Sequence, residues 1–170
     1  MDVKKRAEKQ KNWIERGLHK IPGFKGYYER ELRRDSDKLQ RDFIVLKLNE
    51  GLDVFREIIK SVTRKSDLKQ LTEYGELQKY FEKVINNIKY SDRGYSGFFD
   101  LIKVKEDELD VIYEKDLEIV DSVLKFKEDL MTYRDITSDP DKLRKIRKLI
   151  EGIEKAYKNR NEILKGFGTK

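Results

Sequence analysis

Five cations near the start of a predicted helix have the type and spacing of a phosphate-binding surface. Four of them recur at intervals of four, four and three residues, and the full set is Arg30, Arg33, Arg34, Lys38 and Arg41. Side chains three or four residues apart lie on one face of an α-helix, so these cations form a basic stripe. A basic stripe can bind the backbone of a nucleic acid. Rows of charge on long helices are also common as solvated surface, and the sequence leaves both interpretations open.

Five acids form a second stripe, at intervals of three, four, four and three residues. The acidic stripe consists of Asp107, Asp110, Glu114, Glu118 and Asp121. It could meet a basic partner, or it could hold a divalent cation around Asp110 and Glu114, which would make the protein a helical enzyme. The plainer interpretation is that both stripes are solvated, or that they face each other within a bundle or across a dimer.

Residues 142–148 (KLRKIRK) form another group of cations, at the start of the last predicted helix. This basic cluster consists of Lys142, Arg144, Lys145, Arg147 and Lys148. Cations are unfavourable beside the positive end of a helix dipole, which favours an external anion such as a nucleic acid or an anionic membrane. Asp139 and Asp141 lie just before the cluster, so their carboxylates could neutralise part of its charge instead. The N-terminal segment KKRAEKQK is a third basic patch that could act as a tethering arm.

The sequence contains no recognisable catalytic motif. There is no Walker A loop, no nucleophile elbow and no credible triad. The absence of cysteine excludes disulfides and thiolate metal sites, and a single histidine, His19, excludes multi-histidine sites. We therefore expect no cofactor, no metal and no enzymatic activity.

Two short segments, GFKGYYE at 23–29 and GYSGFFD at 94–100, repeat one pattern of glycines, aromatics and a final acid. The residues that define these entry turns are Gly23, Gly26, Glu29, Gly94, Gly97 and Asp100. Glycine permits a sharp turn, and free N–H groups favour a carboxylate in the first turn of a helix. We interpret both segments as structural helix entries rather than anion sites, because the acid would repel a phosphate. Their recurrence indicates an internal duplication or a reused turn.

Each entry turn opens a long predicted helix that a shorter one follows. The long helices cover about 27–62 and 98–134, the first with a buried stripe through Leu39, Phe43, Leu46 and Phe55, the second with one that ends at Met131. The third helix has the clearest periodicity and ends near residue 90; its apolar residues are Leu71, Tyr74, Leu77, Phe81, Val84 and Ile88. Asp139 is a predicted N-cap for the last helix, which runs to about residue 164. Gly51 marks a bend or a close contact.

The predicted fold is all-α: an elongated antiparallel bundle of two long αα-hairpins, 23–90 and 94–164, with four main helices. Residues 1–22 form a weaker, basic N-terminal helix and linker, and residues 23–170 form the bundle. The chain has 170 residues, of which 42% are charged, and a net charge of +6. No apolar run approaches the roughly 20 residues that span a bilayer, and no signal-peptide core is present, so we expect a cytoplasmic protein.

A long bundle offers lateral surfaces rather than a concave site, which favours a non-enzymatic protein-interaction or scaffold module. Its partner would be another protein or a second copy of the chain. The alternative is a nucleic-acid-binding protein that uses the basic stripe and the basic cluster together, which requires both on one face of the fold. The metal enzyme is a third hypothesis, and peripheral contact with a membrane stays open.

Overall fold

The computed structural model describes Glu15 and residues 19–21, 33–63, 68–91, 106–136 and 139–167 of the chain. These residues form four long α-helices: α1 (Arg33–Thr63), α2 (Leu68–Lys89), α3 (Glu106–Asp135) and α4 (Lys142–Phe167). Each helix packs on two others, α1 on α2 and α3, and α4 on α2 and α3. The all-α bundle predicted from the sequence is confirmed.

The two hairpins lie side by side and point in the same direction. Lys127 of α3 donates to Glu50 of α1 at 2.6 Å, and Arg134 donates to Glu57 at 3.2 Å, so α3 runs parallel to α1. The helices α1 and α4 are not one of the four packed pairs, so they occupy diagonally opposite corners of the bundle. The turn after α1 and the turn after α3 are therefore at one end, which we call the turn end. We call the other end the open end.

The core follows one face of each helix. Its fully buried side chains include Phe55, Phe81 and Phe126, and the rings of Phe81 and Phe126 meet edge to face with centroids 5.2 Å apart. The predicted stripe of α2 is confirmed at five of its six positions: its buried residues are Tyr74, Leu77, Phe81, Val84, Ile85 and Ile88, and the predicted Leu71 is half-buried. In α4, Ile146, Ile150, Ile153 and Leu164 are buried as expected.

The predicted stripes of α1 and α3 were wrong at two positions. Leu46 is 55% exposed and Met131 is 39% exposed. The core face of α1 instead passes through Ile44, Leu48 and Ile58, which are almost completely buried. Leu46 lies about half a turn around the helix from Ile44 and Leu48, whereas Phe55 of the predicted stripe is completely buried, as expected.

Gly51 lies where α1 packs closely against Phe126 and Leu130 of α3. A Cβ atom at this position would stand 3.0 Å from Cε1 of Phe126 and 3.4 Å from Cδ1 of Leu130. The helix continues through Gly51 from Arg33 to Thr63. Of the two roles predicted for this glycine, close packing is the one that the structure shows.

The turn between α3 and α4 is held by Asp139, as predicted. Its Oδ1 accepts a hydrogen bond from the backbone N–H of Asp141 at 2.9 Å, and its carbonyl accepts one from the N–H of Lys142 at 3.1 Å. This is the geometry of an N-cap with Pro140 in the first turn. The ammonium of Lys142 donates to the carbonyl of Ile136, which ties the start of α4 to the end of α3.

Part of the N-terminal segment packs on the bundle. Ile21 is 2% exposed and belongs to the core, and Lys20 forms an ion pair with Asp121 of α3. His19 is exposed, as expected. The residues of the two entry turns lie outside the described residues, and so does most of the predicted N-terminal helix.

Candidate interaction surfaces

The basic stripe is not a continuous exposed surface in the part of the chain that the structure describes. Lys38 is exposed, but Arg41 is only 6% exposed. Arg41 precedes the core residues Ile44 and Leu48 by three and seven positions, which places it on the buried face of α1. Arg30 and the side chains of Arg33 and Arg34 lie outside the described residues.

Arg41 belongs to a buried polar layer near the open end. Gln40 of α1, Asp116 of α3 and Arg160 of α4 are also at least 94% buried. Arg160 donates to both carboxylate oxygens of Asp116, through Nε at 2.8 Å and Nη2 at 3.4 Å. Buried charges need such partners, so this layer fixes how α3 and α4 meet.

Two of the five cations of the basic cluster are paired with acids of the preceding turn. Lys145 donates to Oδ2 of Asp139 at 2.8 Å, and Arg144 pairs with Asp141 at 3.1 Å. The hydrogen bond from Lys145 lowers the pKa of Asp139. Lys142 is 5% exposed, and burial lowers the pKa of its ammonium. The sequence suggested that Asp139 and Asp141 balance charge in this cluster, and the structure shows both of these ion pairs.

The remaining cations of the cluster differ in their surroundings. The guanidinium of Arg147 lies over the ring of Tyr80, 5.9 Å from its centroid, in cation–π geometry. Lys148 is exposed on the outer side of α4. The ammonium of Lys148 is therefore accessible to an external partner.

The basic stripe and the basic cluster lie at opposite ends of the bundle. Lys38 is near the start of α1 at the open end, and α4 begins at the turn end. At 1.5 Å per residue, the levels of Lys38 and the turn end are about 38 Å apart along the bundle. The helices that carry the two groups are also diagonal to each other. The single face that the nucleic-acid hypothesis requires is not formed by the described residues.

The acidic stripe has one end in contact with the N-terminal segment. Glu114 is exposed, Glu118 pairs with Lys115 at 2.7 Å, and Asp121 pairs with Lys20. The side chains of Asp107 and Asp110 lie outside the described residues. Among the residues that are described, no group of three His, Asp or Glu side chains could hold a metal ion.

Charge is distributed very unequally between the two helices of the second hairpin. Between Glu106 and Asp135, α3 carries eleven acids and four cations, a net charge of −7. Between Lys142 and Phe167, α4 carries nine cations and three acids, a net charge of +6. The net charge of α4 alone therefore equals that of the whole protein, +6.

An exposed row of charge on α4 was not predicted from the sequence. It continues from Lys148 at intervals of three, four, three, four and three residues, and all its members are exposed: Lys148, Glu151, Lys155, Lys158, Glu162 and Lys165. We call this set the α4 row. Its spacing is that of a helix–helix seam. The sequence contains this spacing, but charged residues recur at the same interval on many solvated helices, so the spacing alone does not identify a binding surface.

Contacts on both sides hold α4 in place beneath this row. The Tyr80 hydroxyl of α2 donates to Glu154 at 2.6 Å, and Lys158 pairs with the same carboxylate at 2.7 Å. These two hydrogen bonds, first from Lys158 and then from Tyr80, lower the pKa of Glu154. Ser91 and Tyr157 share a hydrogen bond of 2.6 Å near the open end. The α4 row therefore rests on a helix with fixed neighbours.

Within the described ranges, no helix is both long and apolar enough to cross a membrane. Protein-family models, curated proteins and solved structures were compared with the chain, and none of them matches it.

Proposed function

We propose that the protein is a non-enzymatic interaction module that binds an acidic protein partner through the outer face of α4. The observation that carries this proposal is the α4 row, in which four lysines and two glutamates stand exposed at the spacing of a helix–helix seam. A helix with acids at matching positions would meet the four lysines of the row along about five turns of α4. Electrostatic complementarity of this kind gives specificity and a fast association rate.

The two glutamates of the row favour a protein over a nucleic acid. Glu151 and Glu162 stand between the lysines and are exposed. They would repel a continuous phosphate backbone, whereas a protein helix can place its own cations opposite them. The arginines Arg144 and Arg147, which suit phosphate geometry best, are engaged by Asp141 and Tyr80.

A rigid α4 lowers the cost of binding. The contacts of Glu154 with Tyr80 and of Arg160 with Asp116 hold the helix on both sides. Side chains that project from a fixed helix lose less conformational freedom than those on a loop. The lysine stems must still be ordered on binding, so the free protein is expected to bind with modest affinity.

Fluorescence anisotropy with two labelled probes tests the proposal. One probe is a synthetic helical peptide with Glu at three- and four-residue intervals, and the other is a DNA duplex of similar total charge. The Lys148→Gln, Lys155→Gln, Lys165→Gln variant removes three exposed cations from the α4 row. The matched control, Lys38→Gln, Lys60→Gln, Lys125→Gln, removes three exposed lysines from α1 and α3.

At physiological salt we expect the peptide to bind the control variant as tightly as the native protein. It should bind the α4 variant at least tenfold more weakly, because three lysines that face its glutamates are removed. A tenfold change corresponds to about 1.4 kcal/mol of binding free energy. DNA binding should disappear as salt rises from low to physiological concentration. Equal effects of the two variants would contradict the assignment to α4. DNA binding that persists at physiological salt and is lost in the α4 variant would establish the nucleic-acid hypothesis instead.

A further inference from the structure

The outer side of α3 carries a row of charge with the same spacing as the α4 row. The acidic stripe continues past Asp121 along the helix, and we call the following set the α3 row: Glu114, Glu118, Asp121, Lys125 and Glu128. Its members recur at intervals of four, three, four and three residues, and all are exposed except Asp121, which is half-buried. Four acids and one cation therefore stand at the spacing at which the α4 row carries four lysines and two glutamates.

The buried ion pair between α3 and α4 shows which of their residues are level. Asp116 of α3 holds Arg160 of α4, and the two helices are antiparallel. A residue a given number of positions after Asp116 is therefore level with the residue the same number of positions before Arg160. The contact of Lys142 with the carbonyl of Ile136 gives the same levels to within about two residues.

At these levels the two rows carry opposite charges at four of five positions. Glu128 lies twelve residues after Asp116, and Lys148 lies twelve residues before Arg160. The level pairs are Lys148 with Glu128, Glu151 with Lys125, Lys155 with Asp121, Lys158 with Glu118, and Glu162 with Glu114, of which the last is repulsive. The single cation of the α3 row thus falls at the level of a glutamate of the α4 row.

These charges do not meet within one chain, because both rows lie on the outer sides of their helices. A two-fold axis parallel to the helices would bring them together in a pair of chains. Rotation about such an axis leaves every residue at its own level, and it places α3 of each copy against α4 of the other. The same level pairs then face each other in both seams of the dimer.

We propose, on the basis of the function proposed for α4, that its acidic partner is the α3 row of a second copy of the chain, in a two-fold dimer whose axis is parallel to the helices. Lys148 and Glu151 of one copy meet Glu128 and Lys125 of the other. Within the residues that the structure describes, none of these four side chains belongs to an ion pair of its own chain. All four are exposed and available to the second copy.

The other level pairs contribute less to the contact. Lys158, Glu118 and Asp121 each hold an opposite charge of their own chain already. Glu162 and Glu114 repel each other at the open end of each seam. The dimer therefore depends mainly on the two pairs nearer the turn end, Lys148 with Glu128 and Glu151 with Lys125.

The order of charges favours a second copy over an unrelated acidic helix. A uniformly acidic helix would set a carboxylate against Glu151, whereas the α3 row sets Lys125 there. Within 114–128 and 148–162, both described throughout, no large apolar side chain is exposed. Exposed ion pairs contribute little each and are screened by salt, so the dimer is weak and dissociates as the salt concentration rises.

Sedimentation velocity of the full chain over a series of concentrations measures this self-association. At low salt we expect the native protein to shift from monomer toward dimer as its concentration rises, and at high salt the shift should shrink. Glu128→Lys and Lys148→Glu should each weaken the dimer at least about tenfold, because each places like charges together in both seams. The controls Glu76→Lys and Lys60→Glu make the same changes at exposed positions of α2 and α1, and should leave the dimer unchanged.

A mixture of the two variants separates a specific pairing from a general effect of charge. An equimolar mixture of Glu128→Lys and Lys148→Glu should associate as the native protein does. The two new charges then face each other in one seam, and the native pair remains in the other. A native protein that stays monomeric at low salt, controls that weaken the dimer as much as the two variants, or a mixture that fails to associate would each overturn the proposal.

The function proposed for α4 is tested separately, by anisotropy in dilute protein. If the native protein is monomeric and its α4 row still binds the acidic peptide, the partner is not a second copy, and the function proposed for α4 stands. If neither the peptide nor a second copy binds, both proposals fall.

Discussion

Arg160 and Asp116 form a two-point ion pair inside the bundle, with both side chains 6% exposed. The pair joins α4 to α3 within the buried polar layer. The free energy needed to bury an unpaired charge is large, so neither partner is expected to tolerate loss of the other.

Asp116→Asn is expected to lower the free energy of unfolding by about 3 kcal/mol, because the guanidinium of Arg160 stays buried with a weaker partner. Urea denaturation followed by circular dichroism measures the change. Glu118→Gln is the control: its exposed pair with Lys115 should contribute less than about 1 kcal/mol. A joint Asp116→Leu, Arg160→Met replacement should recover most of the loss. Equal costs for Asp116→Asn and Glu118→Gln would refute this account.

Gly51 gives a second test of the interior. Alanine normally stabilises the middle of a helix by about 0.5–1 kcal/mol relative to glycine. At Gly51 the new methyl would meet the Phe126 ring at 3.0 Å, and that ring is packed against Phe81. We therefore expect Gly51→Ala to destabilise the protein by about 1–2 kcal/mol.

Gly152→Ala is the matched control for Gly51→Ala, since a Cβ atom there meets nothing within 4 Å. It should raise the melting temperature, whereas Gly51→Ala should lower it. If both variants gain stability to the same extent, α1 and α3 are less closely packed at Gly51 than the structure indicates.

The sequence predicts α2 and α4 better than α1, for a physical reason. In α2 the apolar side chains from Tyr74 to Ile88 occupy one face, so a single register fits them. In α1, apolar residues also occupy the outside: Leu46 is 55% exposed, and Leu39 and Phe43 are half-buried. Two registers then fit equally well, and periodicity alone cannot choose between them.

The exposure of Leu46 and the burial of Ile44 in α1 can be tested by mutation. Ile44→Ala should lower the free energy of unfolding by about 3 kcal/mol, because a side chain that is 1% exposed is removed from the core. Leu46→Ala should change it by less than about 1 kcal/mol, as is usual at the surface. The reverse order of effects would place Leu46 in the core, as the sequence predicted.

The candidate surfaces were predictable only where their contacts are local. The neutralisation of Lys145 and Arg144 by Asp139 and Asp141 spans six residues or fewer, and the sequence shows it. The ion pair between Lys20 and Asp121 joins residues 101 apart, and no spacing rule reaches that far. Arg41 lies on the face of α1 that also carries the buried Phe55, but its charge and its spacing from Lys38 made it look like surface.

Tyr80 makes the protein sensitive to alkaline pH. Burial, followed by the hydrogen bond to Glu154, raises the pKa of Tyr80 from 10.0 to about 12. A raised pKa means that the folded state favours the neutral phenol over the phenolate more than the unfolded chain does. The resulting stability is fully present below the unfolded pKa, near pH 10, and is lost as the pH rises through the folded value.

We expect the free energy of unfolding, measured by urea denaturation at fixed pH values, to fall between pH 10 and about 12. Tyr80→Phe cannot ionise, so that variant should lose this component of the fall. Tyr90→Phe removes a phenol that is 61% exposed, and it should keep the component. If Tyr80→Phe and Tyr90→Phe follow the same curve as the native protein, the hydrogen bond between Tyr80 and Glu154 does not couple α2 to α4 in solution.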